Sequence, residues 1–361
     1  MSFSQKFKEL IVKRSIEKRK KKNPFDEIIA ESFQLPPDAG IDQNNSYYFS
    51  SHDMEGNSLL LRLGIRGGGS CEVWFALKEN GGGIFVNSRQ IFPVEQCPAA
   101  VECLKSGLKW KFSFNGTIAK VSLDENLSAS LFEKDIEISF EGFFTASSPI
   151  FEFSRHMDSG PIARALAKEK WSGNFFASLT QNHQVHYEQQ GQVSGEFSNG
   201  SISKPVNWPA MRDHSYGKRD WEYMDRHIWL MALLENGDAL NVNMVRYPDI
   251  NELQTGYFIS GGKTICVDRA TSMDEIECSG HVPLSFNYFV RLVDGQTFTV
   301  ACKKELEYVF PFKDGAYTIF EGIGNFLIGG IKGRGILEFG FNSDNARWNR
   351  YGKEPQIHGN L

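Results

Sequence analysis

The last third of the chain constrains the fold most, because it consists almost entirely of short strand-like segments joined by turn residues. Eight segments rich in aromatic and β-branched residues follow one another between positions 227 and 342. Turn sequences separate several of them, at 235–238, 260–262 and 294–295. Eight consecutive strands joined in this way predict an up-and-down antiparallel barrel with room for a small apolar ligand.

The chain between Asn45 and this region has the same character. Polar residues alternate with Trp110, Phe112 and Phe114, as in strands with one buried face. One helix is expected near 160–171, with Asp158 or Ser159 as its cap and Gly173 as its stop. We therefore predict an all-β chain. Its expected parts are an N-terminal extension at 1–44, a first and more open β-lobe at 45–206, an eight-stranded barrel at 207–350 and a tail at 351–361.

The first 22 residues differ from the rest in charge. They hold nine Lys or Arg and two Glu, which leaves 30 basic and 42 acidic residues for the remainder of the chain. Phe7, Leu10 and Ile11 fall on one helical stripe. The segment is thus either a solvated arm or a basic amphipathic helix that makes weak contact with a membrane surface or a partner. Its apolar cluster is too short for a secretory signal, and no apolar stretch of the chain is long enough to span a membrane.

The remaining composition excludes several classes of function. A net charge of −5 and a pI near 6.0 give no bias towards nucleic acid. The six cysteines are scattered without a CxxC pair, which predicts free thiols and a cytoplasmic location. His183 and His186 would lie on opposite faces of a strand, so we expect no metal shared by them. No phosphate-loop, dinucleotide or nucleophile-elbow motif is present in its required context, and we expect no cofactor. The oligomeric state stays open.

The densest group of functional side chains lies at 211–221, in the segment MRDHSYGKRDW. One interpretation is structural, in which Arg212, Asp213, Arg219 and Asp220 form salt bridges between lobes. The other is an active site. In that case Asp213 would orient His214 as the acid/base, Tyr216 would donate a hydrogen bond, and Glu188 or Glu338 would be a second carboxylate. The residues expected to bind the substrate are Trp221, Trp229, Arg219 and Glu338.

Four segments carry a resemblance to a known group of proteins: HYEQQGQVSGEF, RDHSYGKRDW, HIWLMALLENGDALNV and GRGILEFG. Their order resembles the two-lobed lipocalin-like superfamily of AttH and carotenoid hydratase proteins, especially members with an Arg-Asp-His-Ser-aromatic-Gly motif. The resemblance implies two lipocalin-like β-lobes that bind a hydrophobic small molecule, such as an isoprenoid or a polyketide. Ser215 stands where hydratase-like members often have an acidic residue, so carotenoid hydration itself is not implied.

Three functional hypotheses follow. The first is an enzyme of the hydratase, isomerase or cyclase type, which performs acid/base chemistry on an apolar substrate without metal or redox cofactor. Its aromatic residues could stabilise a developing carbocation. The second is a lipid or pigment carrier with the same fold and no chemistry. The third is an interaction protein in which the charges of the 211–221 segment are structural.

Overall fold

The computed structural model describes residues 3–22, 24–131, 136–173, 175–177, 184–199, 203–221, 223–276, 280–312 and 315–342. His183, Cys278 and the predicted tail at 351–361 lie outside these ranges. In the described part, no helix is long and apolar enough to cross a membrane.

The chain consists mostly of strands, with one long N-terminal helix and three short ones in the described ranges. The helices are α1 (Phe3–Lys22), α2 (Glu27–Glu31), α3 (Phe153–His156) and α4 (Ser159–Lys168). The first sheet contains β1 (Gln43–His52), β2 (Ser58–Arg66), β3 (Ser70–Lys78), β4 (Ile84–Val86), β5 (Ile91–Pro93), β6 (Ala99–Lys105), β7 (Lys109–Leu123), β8 (Ala129–Leu131), β9 (Ile136–Ala146), β10 (Phe151–Glu152), β11 (Gln184–Ser198) and β12 (Ser203–Lys218). The second contains β13 (Arg226–Leu234), β14 (Ala239–Tyr247), β15 (Ile250–Ser260), β16 (Lys263–Ala270), β17 (Ser285–Leu292), β18 (Thr297–Phe312), β19 (Tyr317–Ile328) and β20 (Ile331–Asn342).

The second sheet is the predicted eight-stranded barrel. Its strands pair antiparallel in chain order, and β13 pairs with β20 to close it. One apolar cluster takes residues from all eight strands, among them Leu230, Val242 and Phe339, so side chains fill the barrel interior.

The first lobe, β1 to β12, also closes on itself. Its pairings run from β12 through β1, β2, β3, β4, β7 and β9 to β11, which pairs with β12 again. A second apolar cluster, with Phe75, Phe112 and Phe140 among its members, fills this ring. The expectation of a more open first lobe is therefore wrong.

The boundary between the lobes falls later than predicted. The segment 203–218 forms β12, which pairs with β1 and β11 inside the first lobe. The sheets therefore change between Lys218 and Arg226, whereas we expected the first lobe to end at 206. Most of the 211–221 segment is thus strand, and only its last three residues, 219–221, belong to the connection.

The two lobes pack through their outer faces. A third apolar cluster combines Tyr48, Trp74 and Met211 of the first lobe with Trp229 and Tyr308 of the barrel. The helices lie beside this interface. The predicted helix is α4, in which the Asp158 carboxylate accepts a hydrogen bond from the Gly160 N–H. It ends at Lys168, before Gly173, because the chain at Glu169 is already extended.

Candidate functional site

A cavity of about 470 Å³ lies between the two lobes, and we call it the inter-lobe cavity. Residues of both sheets and of α3 and α4 line it. Pockets for small organic molecules usually have volumes of about 300–1,000 Å³. Because the interior of each lobe is filled with side chains, the candidate binding site lies between the lobes and not within a barrel.

One row of directly paired residues lies on the face of the first lobe that meets the barrel, and all its members except Glu188 line the cavity. Since neighbours across antiparallel strands share a face, these side chains all point towards the barrel. The row crosses β11, β12, β1, β2 and β3, and its members are Glu188, Asp213, Tyr48, Arg62 and Trp74.

A matching row of directly paired residues lies on the facing side of the barrel, and its members Thr255, Asn243, Trp229 and Glu338 line the cavity. It crosses β15, β14, β13, β20, β19 and β18, and its members are Thr255, Asn243, Trp229, Glu338, Glu321 and Tyr308. Hydrogen bonds join the two rows. The Tyr48 hydroxyl donates to Glu321 Oε1 at 2.6 Å, so a first-lobe residue contacts a carboxyl group of the barrel.

The first acid/base cluster consists of His186, Asp213 and Glu188. His186 Nε2 contacts Asp213 Oδ2 directly and lies 3.6 Å from Glu188 Oε1. The imidazole is half-buried at the cavity, and its ring stacks on Phe153 of α3 at 4.4 Å. Glu188 lies fully buried behind it, where Tyr257 and Asn241 of the barrel donate to its Oε2 at 2.7 and 2.6 Å.

The surroundings of this cluster favour its protonated form. Burial opposes the charge on the His186 imidazole, but the Asp213 carboxylate outweighs burial and raises the pKa of His186. Burial, assisted by the Asp213 charge, raises the pKa of Glu188 to about 8. At neutral pH the cluster therefore holds a proton on Glu188 and favours a second one on His186.

The second cluster lies on the barrel and consists of His227, Glu338 and Glu321. Glu338 Oε1 contacts His227 Nε2, and His227 Nδ1 lies 2.6 Å from the Tyr317 hydroxyl. Burial and the charge of Glu338 raise the pKa of Glu321 well above its usual range. Burial also opposes the ionisation of Glu338, but His227 and a hydrogen bond from Glu321 outweigh it and lower the pKa of Glu338. Glu321 therefore holds the proton, and Glu338 is an ionised carboxylate at the cavity.

Aromatic side chains supply the rest of the cavity wall. Trp74, Trp221 and Trp229 all line it, and the Arg62 guanidinium lies 4.5 Å above the Trp74 ring. Arg219 also lines the cavity, with its guanidinium 5.0 Å from the Trp221 ring. Within the described ranges, Arg62 Nη2, Trp221 Nε1 and Trp229 Nε1 are buried nitrogen atoms without a hydrogen-bond partner.

The structure separates the predicted site residues into two groups. Asp213, Arg219, Trp221, Trp229 and Glu338 line the cavity, and Glu188 lies directly behind Asp213 and His186. His214 and Tyr216 do not line it. Successive side chains of a strand point to opposite faces, so the expected orientation of His214 by Asp213 is wrong.

His214 instead has partners inside the first lobe. Its Nδ1 is bonded to the Tyr187 hydroxyl and its Nε2 to Asn45 Oδ1 at 2.7 Å, while its ring stacks on Tyr47. Burial and the nearby Arg212 lower its pKa well below the usual value, so the ring is neutral. Tyr216 stacks on Phe33 at 4.0 Å. In this arrangement His214 joins strands of the first lobe, and Tyr216 holds the segment before β1 against that lobe.

Arg212 and Asp213 do form ion pairs, but not the predicted ones between the lobes. Arg212 pairs with Glu31 of α2 and with Gln189 of β11, and Asp213 contacts His186. All these partners belong to the first lobe or to the extension before it. An ion-pair link between the lobes comes instead from Lys78 of β3, which lies 3.3 Å from Glu305 of β18.

Four residues of the site had no role predicted from the sequence: His186, His227, Glu321 and Tyr48. His186 and Glu188 are two apart on a predicted strand, and this spacing alone placed them on one face. Their proximity to Asp213 depends on the register of β11 against β12, in which Glu188 faces Asp213. His227 meets Glu338 only because β13 pairs with β20 to close the barrel.

The first cluster could also hold a divalent cation. The ligand atoms of His186, Glu188 and Asp213 lie within 4.8 Å of one another. In the structure His186 contacts Asp213 directly, and this arrangement is also that of a histidine oriented by a carboxylate.

A family described as a domain of unknown function, DUF7064, matches residues 30–343. The chain belongs to this family. The match to DUF7064 spans both lobes and therefore the whole inter-lobe cavity. Among curated proteins, none matches the sequence.

Solved structures show similar folds. An AttH-type protein from Nitrosomonas europaea has 14% sequence identity to this chain and a TM-score of 0.50. The similarity covers 85% of this DUF7064 chain and 96% of the AttH-type chain. Kievitone hydratase from Nectria haematococca has 10% sequence identity and a TM-score of 0.46, and the similarity covers 89% of this chain and 94% of the hydratase chain. CghA has 10% sequence identity and a TM-score of 0.49, and the similarity covers 86% of this chain and 94% of the CghA chain.

At these identities, the likeness concerns the fold alone. The expected resemblance to AttH-type proteins is confirmed at this level, and so is the two-lobed lipocalin-like fold. The resemblance through the Arg-Asp-His-Ser-aromatic-Gly motif stays a prediction.

Proposed function

We propose that this DUF7064 protein is an enzyme of the hydratase, isomerase or cyclase type that acts on a hydrophobic small molecule, such as an isoprenoid or a polyketide. One observation carries the proposal: two proton-holding clusters line the same cavity, one on each lobe. Their surroundings shift the pKa values of their carboxyl groups in opposite directions, as is typical of paired catalytic acids and bases.

His186 is the proposed acid. Its imidazole is the member of the first cluster with the greatest access to the cavity, and Asp213 favours the protonated ring. Transfer of this proton to a carbon–carbon double bond of the substrate would form a C–H bond, break the π bond and leave a carbocation. Because Nε2 contacts Asp213, the ring would give up the proton on Nδ1, and water would restore that proton after the product has left.

Glu338 is the proposed base. It is ionised and faces the cavity from the other lobe, with His227 and Glu321 as its neighbours. In a hydration, water would add to the carbocation and give its proton to Glu338. In an isomerisation, Glu338 would take a proton from the adjacent carbon, and in a cyclisation it would do so after a second double bond has captured the cation. The three reactions share their first step.

The walls of the cavity suit such a substrate. Trp221 and Trp229 present aromatic rings, whose faces attract a cation. Arg62 and Arg219 also line the cavity, and a guanidinium N–H group could donate to a carbonyl or hydroxyl oxygen of the substrate. We therefore propose an apolar substrate that carries at least one oxygen atom.

Incubation of the protein with a pool of apolar metabolites, followed by mass spectrometry of the substrates and products, tests the proposal. His186→Gln and Glu338→Gln should each lower turnover by about 100-fold or more, since each removes one proton-transfer group. The melting temperature should stay within a few degrees. Tyr216→Phe is the control, because it keeps the stacked ring outside the cavity and should retain turnover.

Two results would contradict the proposal. If the protein binds a compound of the pool but never converts it, the protein is a carrier. If Tyr216→Phe lowers turnover as much as His186→Gln does, the reaction takes place elsewhere than in the inter-lobe cavity.

A further inference from the structure

Helix α1 presents an apolar stripe that the fold does not use. Phe3, Phe7, Leu10 and Ile11 expose 89%, 59%, 46% and 43% of their surface. They lie at positions i, i+4, i+7 and i+8, which share one side of a helix. Large apolar side chains grouped in this way indicate a contact with another apolar phase or molecule.

The opposite side of α1 is fixed to the protein. Val12 is buried and Ile16 partly buried against Ala163 and Leu166 of α4. Lys8 donates to the Glu169 carbonyl at 2.8 Å. These contacts determine the rotation of the helix about its axis, so the stripe faces outwards because its other side is occupied.

Basic residues continue the same stripe towards the C-terminal end of the helix. Arg14, Lys18 and Lys21 are exposed and follow Phe3 at intervals of 11, 15 and 18 residues, which fall on the same side. Over the range 3–22 the helix has nine basic and two acidic residues, while the rest of the chain has 30 basic and 42 acidic. The positive charge is thus concentrated on the element that carries the apolar stripe.

We propose that α1 docks on an anionic lipid surface, with Phe3, Phe7, Leu10 and Ile11 inserted among the lipids and Arg14, Lys18 and Lys21 on the headgroups. An apolar face combined with basic residues is typical of helices that lie in a membrane interface. A second copy of the chain fits less well, because a stable dimer interface engages roughly 20–30 residues on each side. The stripe offers four apolar residues.

In this position α1 would lie between the lipid and α4, which forms part of the wall of the inter-lobe cavity. Helix α4 contacts α1 on one side, and its Ile162 and Leu166 line the cavity. An apolar compound dissolved in the bilayer would then be close to this side of the cavity.

Co-sedimentation of the full chain with lipid vesicles tests the proposal. Binding is expected to vesicles of phosphatidylcholine with about 30% phosphatidylserine, and to weaken at about 0.5 M salt because salt screens the basic residues. The double variant Phe7→Glu/Leu10→Glu should weaken binding by about tenfold or more. Phe289→Glu/Leu327→Glu is the matched control, since these two barrel residues are exposed to 45% and 47%.

Circular dichroism and the melting temperature establish whether the variants fold. If the double variant does not, Arg14→Ala/Lys18→Ala/Lys21→Ala replaces it, with the same expected loss. Equal binding to vesicles without phosphatidylserine, no binding at all, or equal loss in the control variant would overturn the proposal. A dimer in solution that the stripe variants dissociate would overturn it as well, because a second copy would then cover the stripe.

Discussion

Glu188 is a buried carboxyl group whose surroundings favour its neutral form. Burial and the Asp213 charge raise its pKa to about 8, above the usual 4.5. Because the folded-state pKa is the higher one, the unfolded chain releases this proton first as the pH rises. The favourable contribution to folding is therefore present below about pH 4.5 and is lost between that pH and about pH 8.

This shift gives a prediction for Glu188→Gln, which keeps the shape of the side chain and an acceptor for Tyr257 and Asn241 but has no proton to lose. Relative to the parent, the variant should become more stable as the pH rises from about 5 to about 8, by up to about 1.4 kcal/mol for each pH unit. Urea denaturation at several pH values measures the difference, with exposed Glu196→Gln as the control. A difference that stays constant with pH would contradict the assignment.

The residue types of the site could be predicted from the sequence more readily than their partners. Asp213, Glu338, Trp221 and Trp229 were expected from local crowding and from the resemblance, and they do line the cavity. The expected partner of Asp213 was its neighbour in sequence, His214. Its actual partner, His186, lies on another strand, and only the register between the two strands brings the pair together.

At the scale of elements, the two polar faces of β12 explain why the 211–221 segment lacks a recognisable strand pattern. Asp213 and Ser215 line the cavity, while Arg212, His214 and Tyr216 face the first lobe, so both faces of the strand carry polar side chains. The usual alternation of apolar and polar residues is therefore absent, and the segment resembles a turn. The barrel strands and the cap of α4 follow local rules, and these were predicted correctly.

Helix α4 gives a prediction at this scale, because its first turn depends on one side chain. The Asp158 carboxylate accepts a hydrogen bond from the Gly160 N–H at 2.8 Å. Asp158→Ala should lower the free energy of unfolding by about 1 kcal/mol, whereas Asp158→Asn should keep most of it, since Asn also caps helices. Urea denaturation compares the two variants. Equal stability of Asp158→Ala and Asp158→Asn would show that the Asp158 side chain does not stabilise the first turn of α4.

At the scale of the whole molecule, side chains fill the interiors of both barrels, and the candidate site lies between the barrels. The sequence predicted a barrel with room for a ligand, yet apolar clusters occupy both interiors. The outer faces of β1, β2, β12, β13 and β20 provide the walls instead. Local patterns define each barrel, but the way in which two outer faces meet depends on the packing of one lobe against the other, which no local pattern describes.

The central claim is that a proton passes from His186 to a carbon atom of a substrate in this cavity. The most direct measurement is the reaction in D₂O, with mass spectrometry of the product after exchangeable deuterium has been washed out. We expect one deuterium atom to remain bound to carbon in the product of the parent protein, and His186→Gln to form about 100-fold less of that product. A product without carbon-bound deuterium, or the same labelled product in equal amount from His186→Gln, would contradict the claim.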